Sequence, residues 1–342
     1  MPEERKTAIV TDCSCDLSDE QLARYGVRLI SLRVVCQNAE YRDRVDIQED
    51  ELYALLEKEL PKTSLPLPED VTALYEQLQA HNIRMISLRI VCQSAEYRDR
   101  VDMTQEKLYE LLKSELPKTS LPLPEDVSTL YDRLLAEGYT DVIHMSISSG
   151  LSGTYNMVRM ITEDMPMNIR VVDSKTLSTG LGMMVLEAAR ALESGATPDE
   201  AAAAALKARK TQLGMFVIRT LEYLRKGGRI GLVEGVVGSL LQIKPIIFVN
   251  DEGVYQTLAK ARGFKSAVDA MVQEAKRRFG DAKVKLSVVN GHVPDEAAAL
   301  LERLKTEMNV DDGAFVSQVS PVLAIHTGPG LLGIIANKAD SV

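Results

Sequence analysis

The chain has 342 residues, 45% of them hydrophobic and 26% charged, with a formal net charge of −9. That length exceeds what one ordinary core fills, so two domains are expected. The acidic balance, with lysine and arginine scattered along the chain, excludes a protein that grips nucleic acid by neutralising phosphates with clustered cations.

In chain order, MPEERKTAIV offers no apolar core for a secretory signal, and the longest apolar runs, such as IKPIIFV at Ile243, are too short to span a bilayer. A cytoplasmic protein without stable membrane insertion is expected. TAIVTD reads as a buried strand, with EQLARYG as a helix after it. Cys13 and Cys15 stand one residue apart, Cys36 and Cys92 lie much further on, and no second ligand pair accompanies them. This spacing predicts free thiols in a reducing compartment, not a metal site.

Residues 28–83 and 84–139 form a tandem repeat, opening as RLISLRVVCQNAEYRDRVDI and RMISLRIVCQSAEYRDRVDM, with 37 of 56 aligned positions identical. Solenoids need three or more units to bury their faces, so two units read as a duplication inside one domain. Both units contain KTSLPLPEDV, from Lys62 and from Lys118. Pro124, Glu125 and Asp126 predict the first turn of a helix. Ser120 lies four residues ahead of Pro124, too early to cap it. The hydroxyls of Thr119 and Ser120 are therefore unspent, unless the loop is an ordinary Ser/Thr turn.

DVIHMSIS and IRVVDS read as further buried strands, and the alternation with helices predicts a parallel sheet. Between them SSGLSGTY joins a strand to a helix. Free N–H groups and the hydroxyls of Ser148, Ser149, Ser152 and Thr154, beside Gly153, converge there as in an anion site, the alternative being simple capping. A nucleophile elbow would need glycine where Thr154 stands.

GLGMMVLEAARALES is a helix stopped by Gly195, and Thr197, Pro198 and Glu200 mark the start of the next. Strands follow near MFVI, KPIIFV, VKLSVVN and PVLAIHT, with helices at FKSAVDAMVQEAKRRF and DEAAALLERLKTEM. Arg229 follows a glycine pair in LRKGGRIG, and Arg262 precedes a glycine in KARGFKSA. Each is either a solvated charge or an anion contact. His326 ends the PVLAIHT run, either in a core or facing a cleft. Gly328, Gly330 and Gly333 have the spacing of a dinucleotide fingerprint, but only residues 334–342 follow, so that reading fails.

Taken together, TDCSCDLS, EYRDRVDI, KTSLP, SISSGLSGTY, VVDSKTLSTG, TLEYLRKGGRIG, SLLQIKPI, KARGFKSA and HTGPGLLG occur in an order that resembles the DegV family from about residue 7 onward, with one repeat unit extra. The resemblance implies two α/β domains, an N-terminal Rossmann-like parallel-sheet domain (1–175) and a C-terminal mixed-sheet domain (176–342). It implies a long-chain fatty acid such as palmitate, stearate or oleate held between them in a buried tunnel. No further cofactor, metal or catalytic residue is implied. The expected partner is an ATP-dependent fatty acid kinase subunit that makes the acyl phosphate.

Carried over residue by residue, the carboxylate-binding positions are Thr119 with Ser120 (or Thr63 if the first copy is used), the serine within Ser148–Ser149 and its loop, Arg229, Arg262 and His326. This sequence has Cys13 after Asp12, and CQNAE or CQSAE before YRD, where the family commonly carries serine and glycine. The remaining alternative is a hydrolase or small-molecule phosphotransferase built on the Ser148–Thr154 cluster. Near-identity of the two copies also allows exchange of a unit with a neighbouring molecule.

Overall fold

The computed structural model describes residues 6–16, 33–35, 40–42, 62–64, 83–86, 88–91, 96–98, 103, 105–112, 118–233 and 242–339. The N-terminal half is built around strand β1 (Thr7–Asp12), whose residues 8–12 are all buried. The expected EQLARYG helix lies outside the described residues. From the first repeat unit come three short strands, β2 (Arg33–Val35), β3 (Glu40–Arg42) and β4 (Lys62–Ser64). β5 (Ile83–Ile86) crosses the seam between the units. The second unit then gives β6 (Arg89–Val91), β7 (Glu96–Arg98), helix α1 (Gln105–Leu111), β8 (Lys118–Ser120) and helix α2 (Pro124–Ala136). Pro124 takes the first helical turn of α2 and Leu123 its N-cap position without a side-chain bond. β9 (Asp141–Ser146), helix α3 (Thr154–Thr162) and β10 (Asn168–Asp173) complete this half.

These strands form a parallel sheet in the order β10-β9-β1-β5. Apolar residues on its two faces enter separate cores, one with Ala8, Val10, Val142 and α2, the other with Ile9, Ile143 and Met145. A strand covered on both faces reads as a continuous apolar run, and fully burying one such side chain contributes about 1.5–3 kcal/mol. Each repeat unit also makes its own three-stranded antiparallel sheet, β3-β2-β4 or β7-β6-β8, with matching registers. Val34 pairs Tyr41 and Thr63 as Ile90 pairs Tyr97 and Thr119.

Helices α4 (Thr179–Glu193) and α5 (Pro198–Thr211) follow, the latter opened by the expected capping box of Thr197 and Glu200. Although the sequence boundary at residue 175 precedes them, Leu181, Met184, Ala201 and Ala205 pack into the core beneath the parallel sheet. The second sheet starts at β11 (Leu213–Val217), followed by the short helix α6 (Glu222–Lys226). Next come β12 (Ile243–Val249), β13 (Tyr255–Arg262), α7 (Phe264–Phe279), β14 (Val284–Asn290) and α8 (Pro294–Glu307). β15 (Phe315–Gln318), α9 (Pro321–Thr327) and β16 (Leu332–Lys338) end the described chain. The order β13-β12-β11-β16-β14-β15 mixes antiparallel pairs with one parallel edge pair, β14 with β15.

The sequence reading differs in one element that matters for function: PVLAIHT is helix α9, not a strand. All seven of its residues are buried, so the run carries no amphipathic period to separate helix from strand. The glycine-rich GPG that follows leads into the central strand β16. Among the described residues, no helix is long and apolar enough to cross a membrane.

Candidate functional site

The chain leaves β1 to place β5 on one side of it and later returns to place β9 on the other. Such a reversal of strand order opens a crevice at the carboxyl ends of the strands. The loop after β9, beginning at Ile147, lies at this point. The Ile147 N–H donates to Asp12 Oδ2 over 3.0 Å, fixing the loop to the end of β1. Burial pushes the Asp12 carboxyl up from its ordinary range, against the hydrogen bonds from Ser14 and Ile147.

Here lies a cavity of about 360 Å³, within the range of small-molecule pockets. Its apolar walls come from Leu88 and Leu121 in the second repeat unit, Ile147 and Leu151 after β9, Leu177, and Val322 and Leu323 on α9. A smaller hollow of about 40 Å³ shares Leu177, Tyr255 and Leu323 with it and reaches Met215, Phe216 and Val289 on the mixed sheet. The four polar lining residues besides Tyr255 are Thr119, Ser152, Arg229 and His326.

His326 sits in the last turn of α9, and its Nε2 lies 2.9 Å from Thr119 Oγ1. The residue is 8% exposed. Burial, and next the Arg229 charge, lower its pKa to about 3, so the ring is neutral at neutral pH. Nδ1 has no hydrogen-bond partner among the described residues. It faces Gly227, where an added Cβ would overlap it, so glycine there admits the ring. Arg229 is itself oriented by two carbonyls, Nη1 donating to Gly227 O at 2.8 Å and Nε to Leu151 O at 3.3 Å. Burial also raises the Tyr255 phenol, with the Arg229 charge opposing.

The structure thus brings together Thr119, Ser152, Arg229 and His326, and separates others expected beside them. Ser148 Oγ is committed to Gly253 O at 2.8 Å, in the turn between β12 and β13. Ser149 Oγ accepts from Lys175 Nζ at 3.0 Å, and its N–H donates to Asp173 Oδ1. Burial alone would raise Asp173, but its bonds from Lys175 and Ser149 outweigh this and hold the carboxyl below its usual range. The Ser152 and Thr154 hydroxyls bond to each other at 2.9 Å, and Gly153 takes the N-cap position of α3 with Leu121 packed against it. Arg262, at the end of β13, is exposed and donates to Gln242, outside the cavity lining. The position of the Ser120 side chain lies outside the described residues.

Sequence reasoning missed the apolar walls and Tyr255. A leucine lining a cavity and a leucine filling a core carry the same pattern, so nothing in the sequence marks them. Gly227 was visible only as half of a glycine pair.

Comparison with known proteins agrees with this layout. A family model described as "Uncharacterised protein, DegV family COG1307" matches residues 6–82 and again 76–339, once for each repeat unit. Two DegV domain-containing proteins of Clostridium acetobutylicum are 36% identical over 261 residues and 38% over 265. They cover 76% and 77% of this chain and 93% and 94% of their own lengths. Among solved structures, "Fatty Acid Binding of a DegV family Protein from Thermus thermophilus" superposes with a TM-score of 0.77 at 25% identity, over 97% of this chain and 99% of that one. The fold is also shared with DegV of Bacillus subtilis, described as a fatty acid binding protein. That superposition has a TM-score of 0.75 at 22% identity, over 98% of this chain and all of that one.

Proposed function

The chain belongs to the DegV family, and from that premise we propose that it binds a long-chain fatty acid in the cavity between its two sheets and presents the carboxylate to an ATP-dependent kinase subunit. The observation that carries this reading is the asymmetry of the cavity. Leucine, isoleucine and valine side chains make part of its lining, while Thr119, Ser152, Arg229, Tyr255 and His326 supply the polar atoms. A saturated chain of about 16 carbons carries about 12 kcal/mol of transfer free energy at about 0.8 kcal/mol per CH₂. Ordering the chain and losing its free motion consume part of that.

The carboxylate is costly to bury unless donors meet it. A neutral His326 that donates its Nε2–H to Thr119 Oγ1 leaves the threonine hydroxyl proton free for a carboxylate oxygen. Arg229, whose charge already acts on His326 and Tyr255, offsets the negative charge. In the transfer itself, a carboxylate oxygen attacks the γ-phosphorus of ATP on the partner. The new C–O–P linkage forms as the bond to ADP breaks. The present chain acts as acyl carrier and supplies no catalytic group.

The alternative, a hydrolase or phosphotransferase built on Ser148–Thr154, finds no histidine paired with a hydroxyl of that loop among the described residues. The one amine that meets it, Lys175 Nζ at 3.0 Å from Ser149 Oγ, is held in an ion pair by Asp173 at 2.9 Å. The hydroxyls of that loop bond to Gly253, Lys175 and each other, while His326 bonds to Thr119 and His144 to Tyr131. Native mass spectrometry of freshly purified protein decides. A co-purifying mass matching palmitate, stearate or oleate, released by organic extraction, is the expected result. Ligand-free protein that also rejects added oleate would overturn the carrier reading.

A further inference from the structure

Asp16 lies at the exit of β1, in the left-handed region at φ 49°, and is 1% exposed. Among the described residues, two neutral donors from distant parts of the chain meet its side chain. Oδ2 accepts from Ser178 Oγ at 2.6 Å, just ahead of α4, and Oδ1 accepts from the Ser320 N–H at 2.9 Å. Its backbone carbonyl also accepts from Ser317 Oγ on β15 at 2.6 Å. Ser320 is the N-cap residue of α9, yet its own hydroxyl makes no cap bond and has no partner among the described residues. The carboxylate from the opposite half of the molecule thus takes the N–H of the N-cap residue itself, the role that the N3 acid plays in a capping box, and not the N2 or N3 N–H that a Ser320 hydroxyl would take. A negative group at this end also suits the direction of the peptide dipoles.

Helix α9 carries Val322, Leu323 and His326 into the cavity lining. His326 is six residues beyond Ser320, about 9 Å along the helix axis. The two ends of α9 are thus tied to the N-terminal half, one by Asp16 and the other by Thr119. We propose that Asp16 is the positioning residue for His326, setting the place of α9 so that the imidazole meets Thr119 at the polar end of the cavity. This deepens the fatty-acid reading and, for its effect on ligand, rests on it.

The test uses the full chain with Asp16 replaced by alanine, and by asparagine, which retains an acceptor for the Ser320 N–H. It reads two quantities at a temperature where thermal unfolding shows each variant folded. In ligand-free protein, the His326 ring is titrated by nitrogen NMR and assigned with His326→Gln. The wild-type ring stays neutral well into the acid range, and in Asp16→Ala its midpoint moves up toward the ordinary histidine value. With ligand, Asp16→Ala weakens oleate by about tenfold while methyl oleate, which carries no charge to be met, is unaffected. Asp16→Asn restores most of both.

An Asp16→Ala protein with wild-type His326 titration, or with equal losses for oleate and methyl oleate, would overturn the positioning role. Should the wild type bind neither lipid, the fatty-acid reading falls and the His326 titration alone decides on Asp16. Where Asp16→Ala does not fold, Ser320→Pro makes the same cut. It removes the N–H that donates to Asp16, together with the Ser320 hydroxyl, at a residue whose φ of −60° suits proline; Ser320→Ala, which removes the hydroxyl alone, is the control, and the same two readouts apply.

Discussion

Thr119 and His326 are 207 positions apart in sequence and meet over 2.9 Å, so one hydrogen bond closes the second repeat unit onto the C-terminal half. It joins an edge of the small β7-β6-β8 sheet to the last turn of α9. Replacing His326 with glutamine, which retains a hydrogen-bonding end but is shaped differently, is expected to weaken oleate by about 1–3 kcal/mol, the cost of a buried polar group losing its partner. Calorimetric titration with oleate checks this. Unchanged affinity would remove His326 from the binding end.

Acid should destabilise the fold through its buried histidines. His326 and His144 both have pKa values lowered from 6.5 to about 3, chiefly by burial. For a base with a depressed folded value, the unfolded chain binds the proton first. Stability is then complete above about pH 6.5 and is lost as pH falls toward the folded value. Each neutral histidine removes about 1.4 kcal/mol per pH unit in that window. Asp12, raised by burial, acts in the opposite direction but is common to all variants compared. Urea midpoints between pH 7 and pH 4 should therefore fall less steeply for His326→Gln, and for His144→Gln, than for wild type. Parallel slopes would show that neither ring is held neutral.

Gly227 and Gly228 separate space from conformation. Gly227 has an ordinary φ of −78°, but a Cβ there would overlap His326 Nδ1. Gly228 has φ of 70° and nothing near an added Cβ. Gly227→Ala should displace the imidazole and weaken oleate by about tenfold or more, as for a lost buried hydrogen bond. Gly228→Ala should cost about 1–2 kcal/mol of stability from the left-handed backbone and leave affinity unchanged. Thermal unfolding and oleate titration on both variants distinguish these outcomes, and equal binding losses would contradict the assignment.

Strands such as TAIVTD and DVIHMSIS were legible because unbroken apolar runs between turn signals suit a sheet covered on both faces. The α5 start was legible because Thr197, Pro198 and Glu200 act locally. α9 was not, since a helix buried on all sides shows no period, and its N-terminus is held by Asp16, some 300 residues earlier. The same division runs through the site. Thr119, Arg229 and His326 stood out as polar groups in unusual company. Whether Ser148 would face a ligand or the Gly253 carbonyl depends on packing between distant turns. Arg262 shared the sequence signal of Arg229, arginine beside glycine, but lies at the exposed end of β13.

The duplication gives the last prediction. Residues 83–86 at the seam pair with β1, which puts the opening of the second unit on the parallel sheet. That unit supplies Leu88, Thr119 and Leu121 to the cavity, and Val127, Tyr131 and Leu134 to the core under α2. The first unit offers matching residues at Leu32, Thr63 and Leu65, and its short strands pair in the same register. The proposal that the second unit builds the site makes the first a spare, and the first unit's side chains lie outside the described residues. Thr119→Ala should therefore weaken oleate by about 1–3 kcal/mol, while Thr63→Ala should do almost nothing. Deleting residues 28–83 tests the same point at the level of the chain. It joins Val27 to Arg84, so the segment between β1 and the strand that pairs with it shortens by 56 residues, Val27 takes the place of Ile83 beside Ile9, and the near-identical RMIS follows where RLIS stood. The shortened protein should fold and bind oleate within about twofold of the full chain, as for distant and independent parts. If it loses binding, or if Thr63→Ala proves the damaging substitution, the first unit holds the ligand and the second is the spare.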